Sequence, residues 1–189
     1  MSTLVIALRA VSLLAFAGPM LLIVSGRRGR PKTRQGGGER APLVANLAAF
    51  ALFFPSLVIS DGSSEATMAL PLALSGCLFA LAGAALVLRS RAELGAAWSL
   101  VAKADQGTGL VTTGPYRLVR HPIYLGLALL ATGEALAFNS WPAFLIVLSG
   151  IVPTFAWRAR AEEKLLSRTF GERYAVYRQQ TKMIIPHLL

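Results

Sequence analysis

The chain is poor in the residues that most soluble chemistry needs. It has one cysteine, two histidines and nine acidic residues in 189. Cys77 cannot form an intrachain disulfide and sits in an apolar run, so it reads as a small buried hydrophobe. His121 and His187 with one thiol cannot make a usual zinc site, so no metal is expected. No Gly-x-Gly-x-x-Gly follows a strand-like run, which argues against a Rossmann nucleotide site. No Ser-His-Asp arrangement stands out. Charged residues are only 15% of the chain against 54% hydrophobic, and mean hydropathy is +0.57. That is too little polar surface to cover a soluble core. Disorder and a collagen-like repeat are excluded by the same excess of large apolar residues.

What is present is a set of five apolar runs. They are Leu4 to Val24, Pro42 to Ser60, Met68 to Leu88, Pro122 to Phe138 and Trp141 to Trp157. A crossing helix needs about 20 residues, so the last two are short. Only Asn139-Ser140 separates them, which predicts a tight helical hairpin. Gly18-Pro19 predicts a kink in the first run, and Arg9 is expected to snorkel to the interface. A signal peptide is the competing reading of that run. It is set aside because no basic residue precedes the run and no small-x-small cleavage site stands out.

Lys and Arg number 19, giving a net charge of +10. Beside apolar runs this favours cytoplasmic loops facing anionic lipid rather than nucleic acid. The connection from Gly26 to Ala41 is basic, and so are Arg89 to His121 and the tail from Arg158. The connection with Asp61 and Glu65 is not basic, and the hairpin tip is uncharged. This alternation predicts an all-α integral membrane protein of the cell membrane with about five transmembrane helices. The N-terminus is expected outside and a helical tail in the cytoplasm. The chain reads as one membrane domain, 1–189, with three N-terminal spans in 1–88. In the tail, Gly171 is expected to end a helix running from Arg158. Glu172 to Gln180 should form another, with Tyr174 and Tyr177 on one face.

One stretch carries chemistry: Leu110-Val-Thr-Thr-Gly-Pro-Tyr-Arg-Leu-Val-Arg-His-Pro-Ile-Tyr-Leu-Gly126. It resembles the signature of the isoprenylcysteine carboxyl methyltransferase family and its phospholipid methyltransferase relatives. Leu94-Gly95 and Trp98-Ser99 resemble the family's lead-in. Glu162-Glu163, Leu166, Phe170-Gly171, Tyr174, Tyr177 and Pro186 resemble its C-terminal pattern. The resemblance covers about residues 93–189 and implies a core at 89–189 that binds S-adenosylmethionine, with its tail at 158–189. It implies methyl transfer from that cofactor to a small or lipophilic acceptor arriving from the lipid bilayer. The acceptor class stays open between a carboxylate, a phospholipid amine and a thiol.

The residues suit that cofactor. Pro122 fits the first turn of a helix, which places Arg120 and His121 at its N-terminus. Free backbone donors and the positive dipole end there suit the cofactor carboxylate. The bland alternatives are an interfacial arginine and a capping histidine. Tyr124 can stack on adenine or meet the sulfonium, or serve as a belt tyrosine. Gly126 can admit a ligand or only pack helices. Glu163, with Glu162 beside it, can bind ribose hydroxyls or pair with Arg120, or belong to a solvated face. Tyr174 can close the cofactor chamber or only pack the tail. Arg120, Glu163 and Tyr124 are the expected catalytic set. Glu134 lies three turns into the fourth run, where a carboxylate is expensive. It either serves a polar network or reaches the outer interface. A sterol-reductase-like enzyme using NADPH and a non-enzymatic scaffold are the remaining alternatives.

Overall fold

The computed structural model describes residues 3–25, 40–59, 66–95 and 109–185. The expected basic linker, Trp98-Ser99, Lys103, Pro186 and His187 lie outside them or largely so. The helices are α1 (Thr3–Ser25), α2 (Arg40–Ile59), α3 (Ala66–Leu94), α4 (Pro122–Ala137), α5 (Trp141–Ile146), α6 (Val152–Phe170) and α7 (Glu172–Gln180). Among the described residues there is no strand; a single parallel bridge joins Val119 to Lys182. Four segments are long and apolar enough to cross a bilayer: Thr3–Leu22, Ala41–Val58, Met68–Leu94 and Trp141–Phe170. Helix α4 has 16 residues, a rise of roughly 24 Å. The bundle turns apolar side chains outward: Leu14 is 72% exposed and Val58 83%. Such faces suit lipid, where every backbone polar group must be satisfied within its own helix.

The helices run alternately up and down. Arg9 and Ser12 of α1 meet the end of α4. Ser56, near the end of α2, meets Ser140 at the hairpin tip. The start of α4 therefore shares one end of the bundle with the ends of α1, α3 and α6. That is the end to which the basic connections belong. Ser140 holds the hairpin, its Oγ donating to Ser56 O at 2.9 Å and accepting from Ala143 N at 3.2 Å. Asn139 before it takes a positive φ of 52°.

The tightest seam lies between α3 and α4. A Cβ at Gly133 would sit 2.6 Å from Ala80 N and 2.7 Å from Gly76 O. A Cβ at Gly126 would sit 2.9 Å from Gly83 O and 2.7 Å from Val87 Cγ2. Two glycines seven residues apart on each helix thus let the backbones touch, the usual small-residue solution in membranes.

α1 stays helical through Pro19. Other expectations need correction. Arg9 turns inward: its Nε donates to Ala137 O at 2.8 Å and its guanidinium lies over the Phe138 ring. Glu134 is fully buried and does not reach an interface; Ser12 Oγ donates to it at 3.2 Å. No separate tail helix starts at Arg158. Helix α5, a π turn at Val147–Ile151 and α6 form one rod ending at Gly171. The last helix, α7, spans Glu172–Gln180 as expected.

Gly133→Val is expected to lower stability by on the order of 2 kcal/mol or more, because the obstruction is backbone and cannot rotate away. Gly18→Ala, whose Cβ would meet nothing within 4 Å, should be neutral. Denaturant unfolding in detergent micelles, followed by tryptophan emission, distinguishes the two.

Candidate active site

The motif is delivered by a short irregular lead. Thr113 Oγ1 donates to Glu93 at the end of α3. Gly114 follows with φ +57°, and a Cβ there would sit 2.9 Å from Glu93 Oε2. A 3-10 turn, Gly114–Arg117, then buries Tyr116. Beyond it the chain lies alongside the C-terminal segment. Arg120 N donates to Lys182 O at 2.8 Å and His121 N to Met183 O at 2.9 Å. The two backbone donors just before the helix are therefore taken by the tail. Tyr177 adds a third tie, its hydroxyl donating to Tyr116 O at 2.7 Å. Burial pushes the Tyr177 phenol up to about 12, so it stays a donor at neutral pH.

A charge cluster sits at this joint. Arg120 Nε donates to Glu163 Oε1 at 2.6 Å, with both side chains largely buried. Arg120 Nη1 donates to Arg178 O at 3.2 Å and also to Thr181 O. His121 stands between the acidic pair, Nδ1 3.6 Å from Glu162 Oε2 and Nε2 3.7 Å from Glu163 Oε1. Tyr124 donates its hydroxyl to Glu162. Glu162 also accepts Arg158, one helical turn back, at 3.4 Å. The rings of His121, Tyr124 and Phe155 are nearly parallel, with centroids 5.6 and 5.1 Å apart. The Arg158 guanidinium lies 5.5 Å from the Tyr124 ring centre. Tyr124 therefore has its ring engaged by three neighbours, which leaves poor access for adenine.

The structure thus gathers Arg120, His121, Tyr124, Glu162, Glu163 and Tyr174 in one place. Glu163 is buried, not part of a solvated face. Tyr174 is 1% exposed, and its phenol is held well above the usual range, first by burial and then by the Glu163 charge. Pro122 is buried at the first turn of α4. Gly126 faces α3 and does not join the cluster. Sequence reasoning missed Phe155, the tail carbonyls and the inward turn of Arg158. Only Arg158 left a signal, four residues before Glu162.

Two buried polar atoms at this joint make no hydrogen bond: His121 Nε2 and Tyr174 Oη. A pocket of about 270 Å³ opens beside Arg120, lined by Arg178, Thr181, Lys182 and neighbours. The pocket lining is basic and polar and suits an anionic group such as the carboxylate of S-adenosylmethionine; the two orphaned atoms lie outside that lining, His121 Nε2 beside Glu163.

Comparison with known proteins points the same way. A family model described as phospholipid methyltransferase matches residues 72–173. The protein-S-isoprenylcysteine O-methyltransferase of Schizosaccharomyces pombe is 32% identical over 103 residues, 52% of this chain and 44% of that protein. The Saccharomyces cerevisiae protein of the same name is 29% identical over 137 residues, 71% of this chain and 56% of that protein. The nickel-cobalt-cadmium resistance protein NccN of Alcaligenes xylosoxydans xylosoxydans is 32% identical over 105 residues, 51% and 46% of the two chains. The chain spans about half the length of the curated relatives it matches. The family match begins inside α3, earlier than the expected start at 93, and ends at residue 173, so α1, α2 and most of α7, with Tyr174, Tyr177 and Pro186, lie outside it.

Arg120→Ala would strand Glu163 in a buried site and remove the side chain that binds the tail carbonyls. Its expected cost is about 3 kcal/mol or more. Arg117→Ala, at an exposed position, should change stability by less than about 0.5 kcal/mol. Unfolding of both variants in the same micelles checks the difference.

Proposed function

This chain belongs to the phospholipid methyltransferase family, and from that membership we propose an integral membrane methyltransferase that uses S-adenosylmethionine. The observation that carries the reading is the convergence of Arg120, His121 and Tyr124 from the start of α4 with Glu162 and Glu163 of α6. These groups are 43 residues apart along the chain at the Arg120–Glu163 bond. They meet at the end of the bundle to which the basic connections belong, which supports a cytoplasmic site and an outside N-terminus. Helix α4 is then a fifth, short span. The acceptor is lipophilic and comes laterally from the bilayer, as the printed names of the isoprenylcysteine relatives suggest.

When bound, the cofactor supplies a methyl group made electrophilic by the sulfonium. The chain's own part is binding, orientation and exclusion of water. Arg120 holds the Glu163 carboxylate in place and carries the positive charge nearest the cofactor carboxylate. Glu163 accepts hydroxyl or ammonium protons, and His121 Nε2 and Tyr174 Oη offer the unspent polar atoms. Tyr124 and Arg158 wall the side toward the membrane. A carboxylate acceptor needs no base. An amine or thiol must lose a proton, and neither carboxylate is free to take it: Tyr124 donates to Glu162 and Arg120 to Glu163, and a carboxylate held by a guanidinium is a weak base.

Titration of purified protein separates the readings. S-adenosylmethionine should bind and NADPH should not; the reverse would convert the proposal into a reductase. Glu163→Gln should weaken S-adenosylmethionine about tenfold, the loss of one charged hydrogen bond. Glu162→Gln should matter less, because its carboxylate is directed at Tyr124 and Arg158. Equal affinity in wild type and Glu163→Gln would confine the site to α4. A C-terminal tag should be reachable only from the cytoplasmic face, and exposure on the other face would reverse the proposed cofactor entry.

A further inference from the structure

The stripe of α6 that meets α4 includes one residue with no polar work. Phe155, Arg158 and Glu162 fall at helical spacings of three and four, so they share a face. Arg158 lies over the ring of Tyr124 and Glu162 accepts its hydroxyl, both through charge. Phe155 has no such group, yet it is 2% exposed, and its ring lies 5.1 Å from that of Tyr124 at an interplanar angle of 12°. The stack continues on to His121 at the same angle. Behind Phe155 stands Phe50 of α2, 6.2 Å away. The Phe155 ring therefore lies between Tyr124 of the family's motif and a helix outside the family match.

The helix upstream is shaped for this. The π turn Val147–Ile151 ends one turn before Phe155. A π turn inserts extra chain into a helix and rotates everything after it. Pro153 follows directly and cannot donate to the preceding turn. Asn46 Nδ2 of α2 then pins the start of α6, donating to Thr154 Oγ1 at 3.1 Å. A regular α-helix through this stretch would turn the stripe of 155, 158 and 162 away from α4. π turns recur at functional sites, and this one aims the face that holds Tyr124.

We infer that Phe155 is a positioning residue: it fixes the Tyr124 ring, and through it Glu162 and His121, from the membrane side of the cofactor site. This rests on the proposed methyltransferase reading. The stack is the apolar floor beneath the charges, and α2 supplies its backing. Phe155 touches no group assigned to the cofactor, so its effect must travel through Tyr124.

The test is S-adenosylmethionine affinity of the full chain in nanodiscs, measured calorimetrically. Phe155→Leu should weaken binding about three- to tenfold, the order expected for losing one aromatic stack. In a Tyr124→Leu background the same change should add less than about twofold, because the ring it positions is gone. Phe53→Leu is the packing control: Phe53 is as fully buried and packs edge-on against Phe50 and Phe54. It should leave affinity within about twofold. If Phe155→Leu does not fold, Phe155→Met, closer in volume, carries the comparison. Wild-type affinity in the Phe155 variants would overturn the inference while leaving the methyltransferase reading standing. So would a loss that persists undiminished without Tyr124. A wild-type chain that binds no S-adenosylmethionine would instead overturn the reading, and the inference with it.

Discussion

The Arg120–Glu163 pair is the contact on which the architecture at this end of the bundle depends. Both side chains are largely withdrawn from solvent, so each is costly alone and tolerable only with the other. The pair does more than join α4 to α6. Arg120 also takes the carbonyls of Arg178 and Thr181, so the same guanidinium sets where the tail lies. Once the tail is there, its next two carbonyls accept Arg120 N and His121 N. Arginine suits this position better than lysine, because only a planar fork reaches a carboxylate and two carbonyls together.

That arrangement explains why motif and tail resemble parts of one signature although a helical hairpin separates them. The motif residues are not themselves a site. They are gathered into one cluster only when α6 brings its acidic pair and α7 folds back under the bundle. Gly171, with φ +53°, makes the reversal, and Tyr174 and Tyr177 turn inward from α7. The buried phenols remain neutral at physiological pH, so the tail is held by hydrogen bonds and packing around a single strong ion pair.

Much of this was legible in the sequence, for identifiable reasons. Lipid imposes long apolar runs, so the spans were readable, as was the two-residue break at Asn139-Ser140. Glycine at 171 marked the last helix boundary. Arg120, His121, Tyr124 and Glu163 were readable because charged and aromatic groups beside spans are expensive and few. Gly126 was ambiguous because ligand approach and helix packing both need a missing side chain; only the position of Gly83 and Val87 decides it. The pairing of the tail with residues 119–121 uses backbone atoms, which leave no mark in side-chain type. The π turn is equally silent, and with it the orientation of Phe155. Arg9 and Glu134 announced themselves as polar residues in apolar runs, but not that Arg9 would turn toward α4 and Glu134 toward α1.

Those two residues bear on why α4 can be short. Ten of its 16 residues are buried in protein, so it meets less lipid than a lone span would. Its ends need not reach water if protein satisfies them. At the far end Arg9 donates to Ala137 O, placing positive charge where the last carbonyls concentrate negative potential. At the near end the first turn opens on proline, which brings no donor, and the tail accepts the two donors before it. Both termini of α4 are thus closed by side chains or backbone from elsewhere in the chain. Near Ala137, Ser12 meets Glu134 within the bundle, which gives the carboxylate a partner where lipid offers none. Helix α4 is therefore positioned by polar contacts at both ends and by backbone contact with α3 between them. A motif carried at its first turn inherits that rigidity, which suits a reaction governed by placement of the reacting groups.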